Sequence, residues 1–596
     1  MSELPFDLHS LHQAYEAGLS PATVVETVFQ RIAAAADPGI FIHLADREAL
    51  LGEAAALGPF NPVAKPLWGI PCAVKDNIDV AGMPTTAACP AFSYQPGEDA
   101  TVVALLRQAG ALIVGKTNLD QFATGLVGVR TPYPVPRNAV DPDLVPGGSS
   151  SGSAVATARG ILSFALGTDT AGSGRIPAGL NNIVGLKPTL GALSTHGVVP
   201  ACRSIDCVSI FALTVEDAYR VFAVAARYDT RDCYSRPIPA PALGVRPPVL
   251  RVGVPARADR RFFGDTAMER GFEAALDRLA RMGCVLEELP FADFYAAASL
   301  LYEGPFVAER YAAIGDFMGA HEDAMHPVTK TIIAGARSFT AVDAFKGIYA
   351  LQALRARLAP AIASVDLICV PTAPSHYSLA AIEAEPIAAN SRLGTYTNFV
   401  NFLDLCAITV PSGPLGKGPS MSVTLLAPAG QDAFVAAVAR DLHAASDLPL
   451  GGTGWRSPPR GETDAADHGT IEIVVVGAHL SGMPLNHELI GIGGRFRRAA
   501  RTAPGYRLYA LAGQQPPKPG LTRDPAGSDT IEVEVWSLLP EAFARFVATI
   551  PSPLCVGTVQ LADGTAPKGF LVEAAGLTDA TDITKFGGWR SYVAAR

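Results

Sequence analysis

Two rhythms of apolar residues alternate along most of the chain. Short unbroken runs have strand length: Leu67–Val74 (LWGIPCAV), Ala111–Val114, Ile161–Leu166, Arg251–Pro255, Cys284–Glu288, Leu367–Pro371 and Ala407–Pro411. Apolar runs of this length, bounded by Gly, Pro or charge, predict buried strands. Between them lie segments with helical patterning: Asp99–Gln108, Ala154–Arg159, Ala267–Met282, Leu300–Ile314, Val342–Leu358 and Ala433–Ser446. Residues 5–58 also read as helical. There Ser20-Pro21 supplies an N-cap and a first-turn proline for a helix through about Ala35, and Ala45–Leu57 forms another. Helices alternating with strands predict an α/β layered core.

The rhythm breaks at LGGTGWRSPPRGETDAADHG, residues 450–469, where Gly, Pro and charge crowd together. Such composition predicts a linker. Strand-like runs then resume at IEIVVV (471–476), TIEVEV (530–535) and GFLVE (569–573). The expected organisation is a first domain over 1–450, a linker over 451–469 and a smaller α+β domain over 470–596. A chain of 596 residues is also too long for one core of ordinary size.

Composition narrows the class of function. The chain is 49% hydrophobic and 17% charged, as globular proteins are. Its net charge of −9 leaves no basic stripe to neutralise phosphates, which argues against nucleic acid as a partner. Nine scattered cysteines read as buried free thiols in a reducing cytoplasm. Cys202 and Cys207 lack the spacing and the second pair of a zinc site, so no metal and no cofactor is expected. The first residues, MSELPFDLHS, carry no signal-peptide pattern, and no apolar run reaches membrane-spanning length.

The chemistry concentrates in residues 146–177, where two Gly/Ser-dense turns, GGSSSGS and TAGSGR, flank a small-residue segment. The first turn runs into AVATARG, so it reads as a capped helix start with N–H donors suited to negative charge. Gly148–Gly152 also fits the G-x-S-x-G nucleophile elbow, but that motif needs a strand before its serine. Here Pro142 and Pro146 precede it and exclude one. The second turn follows the strand-like ILSFALG, and its consecutive N–H groups can hold an oxyanion while a serine within it attacks a carbonyl. That serine needs a base. Lys75, delivered by the apolar run LWGIPCAV, is a candidate, since a buried lysine can be held neutral.

AVKDNIDVAG, PGGSSSGSAVA, GTDTAGSGRIPA and GLKPT occur in this order, and together they resemble the amidase signature family over roughly residues 5–450. The resemblance implies a mixed twisted sheet covered by helices and a Ser–cis-Ser–Lys triad. Matched residue by residue, Lys75 is the base, Ser149 the bridging serine on a cis peptide, and Ser173 the nucleophile. The N–H groups of Thr170, Ala171, Gly172 and Ser173 form the oxyanion hole, and Asp169 and Arg175 brace the turn. Many members have Ile where this chain has Gly174, which suggests a tight pocket for a small substrate.

Within that family, the extra C-terminal domain, LYEGPFVAERYAAIG and the loop Asn118–Tyr133 resemble the branch that acts on allophanate. Tyr302 and Arg310, eight residues apart, are expected on one helix face, binding the substrate carboxylate, with Gly125 touching the substrate through its backbone. The C-terminal domain resembles a γ-glutamylcyclotransferase-like barrel, which in some members is implicated in decarboxylating the first product, N-carboxycarbamate. His479 and His487 are its candidate residues. The resemblance further implies a homodimer and a urea carboxylase as functional partner. The alternative readings are a malonamate-type amidase and a binding protein with an amidase fold and no catalysis.

Overall fold

The computed structural model describes residues 4–416, 418–458 and 469–596. Two compact units divide the chain: Met1–Pro241 with Gly253–Leu279 and Glu288–Pro459, and Ala242–Val252 with Ala280–Glu287 and Arg460–Arg596.

An eleven-stranded sheet is built from β1 (Phe41–Leu44), β2 (Pro71–Lys75), β3 (Leu112–Thr117), β4 (Phe164–Asp169), β5 (Val184–Lys187), β6 (Cys207–Ala212), β7 (Leu250–Pro255), β8 (Cys284–Leu289), β9 (Leu367–Pro371), β10 (Leu405–Gly413) and β11 (Met421–Pro428). Their order is β1-β3-β2-β4-β6-β5-β10-β11-β9-β7-β8. β2 runs parallel to both β3 and β4, whereas β1–β3, β4–β6, β5–β6, β5–β10, β10–β11 and β9–β11 are antiparallel. The sheet is therefore mixed, as expected. Residues of β2 to β6 are buried throughout, which explains why β2, β3 and β4 read as continuous apolar runs without alternation. The helices obey their caps. The Ser20 hydroxyl accepts from Thr23 N at the head of Pro21–Ala35, and the Asp46 carboxylate accepts from Ala49 N at the head of Arg47–Ala56.

Three sequence expectations need correction. Phe41–Leu44 lies within the stretch read as helical but is an edge strand paired with β3. Its β-branched and aromatic residues, FIHL, carried that signal. Leu300–Ile314 is not one helix: α1 (Ala292–Glu303) ends before Gly304, and α2 (Val307–His321) begins after Phe306. Gly304 precedes Pro305 and is extended, with φ −104° and ψ −179°, because a residue before proline is pushed out of the α region. Finally, the start of the expected linker is not loose. Leu450 and Trp455 form a β-bridge, Gly451 and Gly452 N–H donate to Asn182 O and Ala158 O, and Trp455 packs against the cluster containing Ala158 and Leu450. Residues 459–468 of that segment lie outside the described residues.

The second unit is smaller and β-rich. One sheet has five strands, in the order Arg495–Arg501, Glu532–Leu538, Ile471–Val475, Lys568–Val572, Leu554–Thr558, and another has three. Among the described residues no helix is long and apolar enough to cross a membrane. Seven of the nine cysteines are buried.

Candidate active site

β2 and β4 are parallel neighbours, with Cys72 opposite Phe164 and Val74 opposite Leu166, so their C-terminal ends emerge side by side. β2 ends at Lys75 and β4 at Asp169, which places Lys75 and the start of the TAGSGR turn at the C-terminal ends of these neighbouring strands. The GGSSSGS turn closes the group: the peptide Gly148–Ser149 is cis, and a helix follows at once over Ser151–Ala158. Lys75 is fully buried. Its Nζ lies 2.7 Å from Ser149 Oγ and 2.8 Å from Thr168 Oγ1. Burial pushes the lysine down to about 7, against the opposing fields of Asp120, Asp169 and Asp206, and Arg310 adds to the lowering. A neutral amine donates through two N–H groups and accepts through one lone pair. Lys75 can therefore donate to Thr168 and accept the Ser149 proton.

The TAGSGR turn is braced from inside. Arg175 Nε and Nη2 each donate to Asp169 at 2.9 Å, and both side chains are buried. Burial alone would raise the Asp169 carboxyl. The Arg175 guanidinium and the Gly174 N–H more than offset it and hold the group below its usual range. Asp169 Oδ1 and Oδ2 also accept the N–H groups of Gly172 (3.1 Å) and Gly174 (3.0 Å). This corrects the expected oxyanion hole, because the Gly172 N–H is already committed. The N–H groups of Ala171 and Ser173 have no hydrogen-bond partner among the described residues, and Thr170 leads the turn. Ser173 is buried, and its hydroxyl makes a long contact with Gly125 O at 3.5 Å. Gly174 does not line a pocket: a Cβ there would lie 2.4 Å from Ser209 Cβ on β6. The missing side chain makes room for the sheet, so the expectation of a tight pocket drawn from it does not stand.

Tyr302 and Arg310 sit on separate helices, α1 and α2, yet the break between them folds one onto the other. Arg310 Nη2 donates to Tyr302 OH at 3.1 Å, and the guanidinium lies 5.1 Å from the centre of the Tyr302 ring. Arg310 Nη1 donates to Thr124 Oγ1 (3.1 Å) and Ala123 O (3.4 Å), in the loop that also carries Gly125. Arg310 is buried, its Nε is unpartnered, and no carboxylate lies within salt-bridge distance among the described residues. Gly125 itself has no room for a side chain, since a Cβ would meet Asp120 Oδ2 at 2.6 Å.

Sequence reasoning missed several residues that this region uses. Thr168 holds the lysine. Asp120 accepts the N–H groups of Gly128 and Arg130 and donates its own to Ser149 O. Asn401 donates to Asp169 O and Ile205 O, and Thr397 donates to Ala171 O. These are ordinary polar residues far apart in sequence, and only the fold brings them together.

In the second unit the two candidate histidines part company. His479 lines a cleft of about 170 Å³ with Glu488, Lys518, Phe546 and Phe570. Its Nε2 is 2.9 Å from Glu488 Oε2, and its ring stacks on Phe570 at 5.3 Å and meets Phe546 edge-on at 5.1 Å. Burial holds it below its usual pKa, against the Glu488 carboxylate. His487 is exposed, bonds only Pro484 O among the described residues and lies outside the cleft lining.

The amidase family profile matches residues 23–435, and the chain belongs to that family. A second profile, the allophanate hydrolase C-terminal domain, matches residues 471–594, so the chain has the two-domain architecture of allophanate hydrolases, which are C–N amide hydrolases. The crystal structure of Kluyveromyces lactis allophanate hydrolase is similar over 99% of both chains, at 38% identity and a TM-score of 0.78. Urea amidolyase of Saccharomyces cerevisiae is 43% identical over 93% of this chain, which spans 31% of that protein. The 2-amino-5-chloromuconic acid deaminase of Comamonas testosteroni is 34% identical over 64% of this chain and 82% of its own length.

Proposed function

We propose that this chain hydrolyses allophanate at Ser173. Neutral Lys75 takes the Ser149 proton, Ser149 takes that of Ser173 once the Ser173 hydroxyl turns from Gly125 O, and Ser173 Oγ attacks the terminal urea-type carbonyl. The N–H groups of Ala171 and Ser173, with Thr170 at the head of the turn, face the oxyanion. Ammonia leaves with a proton returned through the same relay, and water hydrolyses the acyl-enzyme to N-carboxycarbamate. A single observation carries the substrate class: Arg310 is buried with no carboxylate partner of its own. A buried guanidinium in that state is a site for an incoming carboxylate, with Tyr302 beside it.

Arg310→Ala is therefore expected to raise KM for allophanate about 100-fold, the loss of a charge-assisted hydrogen-bonded pair. KM for malonamide, which has no carboxylate, should change no more than about threefold. Equal effects on both would remove the carboxylate role. A malonamate amidase would show the same Arg310 effect. The C-terminal domain, which matches that of allophanate hydrolases, favours allophanate over malonamate: the allophanate product carries N-bound carboxylates that leave readily as carbon dioxide, whereas the C-bound carboxylates of malonate do not. The intact Lys75, Ser149 and Ser173 set speaks against a binding protein without catalysis.

The second site belongs to the same reading. N-carboxycarbamate would enter the His479 cleft, where Lys518 faces its charge and the His479–Glu488 pair handles the proton, giving carbon dioxide and carbamate. His479→Ala should leave the first ammonia at its wild-type rate while carbon dioxide release lags behind it. Carbon dioxide keeping pace with ammonia in that variant would exclude the role. We also propose a cytoplasmic homodimer and, on the likeness to urea amidolyases, a urea carboxylase as the supplier of its substrate. Light scattering should give the mass of two chains.

A further inference from the structure

Asp206 has no part in the proton relay, yet its carboxylate is fully engaged beside it. It is buried, and no cation lies within salt-bridge distance among the described residues. Oδ1 accepts the Thr170 hydroxyl at 2.5 Å and Cys202 N at 3.1 Å, and Oδ2 accepts Ala201 N at 2.7 Å. A buried anion without a cation persists only when hydrogen bonds satisfy it, so this geometry is tightly specified. Thr170 stands between the end of β4 and the N–H groups of Ala171 and Ser173.

The loop that Asp206 closes, residues 201–206, is tied at its other side to the start of α2. Ser204 N and Oγ donate to Glu309 Oε2 and Oε1 at 2.9 and 2.6 Å, and Cys202 Sγ is 3.8 Å from Phe306 O. Glu309 is the neighbour of Arg310. Ile205 O is held by the same Asn401 that holds Asp169 O. One loop thus joins the turn bearing the nucleophile to the helix bearing the carboxylate-binding arginine.

We propose that Asp206 is a positioning residue that fixes Thr170, and with it the oxyanion-binding turn, at a set spacing from Arg310 through the loop 201–206. The inference rests on the roles proposed above for Ser173 and Arg310. A short planar substrate clamped by its carboxylate presents its far carbonyl at one distance only. A turn displaced by about 1 Å then loses on the order of 100-fold in rate.

The test measures kcat and KM for allophanate in Thr170→Val, Thr170→Ser and Asp206→Asn. Thr170→Val keeps the shape and removes the hydroxyl. Its kcat should fall about 10- to 100-fold with KM changed less than about threefold, and Thr170→Ser should recover most of the loss. Asp206→Asn should lower kcat at least as far. It should also move the acid limb of kcat/KM to lower pH, because Lys75 then faces only Asp120, Asp169 and Arg310 among its charged neighbours. Thr170→Val should leave that limb in place. The proposal is overturned if Thr170→Val keeps its kcat, if serine does no better than valine, or if the loss falls on KM. Should Asp206→Asn fail to fold, the two Thr170 variants decide alone. An active Ser173→Ala enzyme would remove the underlying reading, whereas inactive Ser173→Ala with fully active Thr170→Val would remove this proposal only.

Discussion

Ser173→Ala is expected to lower ammonia release from allophanate by about 10⁴- to 10⁶-fold, with little change in substrate affinity. The other hydroxyls nearby are engaged: Thr170 donates to Asp206, and Ser149 is held by Lys75. Affinity should survive because the proposed carboxylate holder makes no bond to the Ser173 hydroxyl: Arg310 and Tyr302 keep their mutual bond whatever stands at 173. The fold should also survive, since the turn is braced by Asp169, Arg175, Thr397 and Asn401 and not by the Ser173 side chain. Steady-state ammonia assays and a binding titration of the inactive variant check both halves. Residual activity within about tenfold of wild type would show that attack comes from elsewhere.

Lys75→Met should cost about 10³-fold or more in kcat and erase one limb of the pH profile. The sign follows from the direction of the shift. The lysine works as a base only when neutral, and burial has brought it down to about 7. Wild-type kcat/KM should therefore rise with pH through about 7 as the ammonium form is lost, and level off above it. Methionine fills nearly the same apolar volume but carries no proton, so what activity remains should not show that limb. An acid limb near pH 4 in the wild type would point to a carboxylate base instead. A limb near 7 that survives in Lys75→Met would assign it to another group.

The legible parts of this fold are those where one physical demand dominates. β2, β4, β9 and β10 are buried on both faces, and their apolar runs predicted them to within a few residues. Capped helices such as Pro21–Ala35 were equally plain, because Ser20 and Pro21 act locally. The edge strand Phe41–Leu44 is only weakly marked: Phe41 and Ile42 favour a strand, but the segment is four residues long, lies between helices, and pairs with β3 only in the tertiary fold. The break at Gly304-Pro305 is local and written in the sequence, but the helical pattern on either side masked it. Its consequence is functional: Tyr302 and Arg310 meet across a turn between two helices.

At the site, Lys75, Ser149 and Ser173 stand out as candidates through motifs of fixed order, and the fold brings Lys75 to Ser149. The hydrogen bonds around them were not. Gly172 reads as an oxyanion donor in the sequence, but in the fold the Asp169 carboxylate takes its N–H. Asp206, Thr168, Asp120 and Asn401 carry no motif, and each acts through a neighbour that only folding supplies. His479 and His487 look alike in sequence, and burial separates them: one stacks in a cleft with Glu488, the other is exposed.

The most direct measurement is ammonia release by the purified protein offered allophanate, malonamate, malonamide and a fatty amide in parallel. The prediction is that allophanate is turned over with the highest kcat/KM, malonamate follows, and the two substrates lacking a carboxylate trail by about 100-fold or more. Ammonia from malonamate with none from allophanate would contradict it.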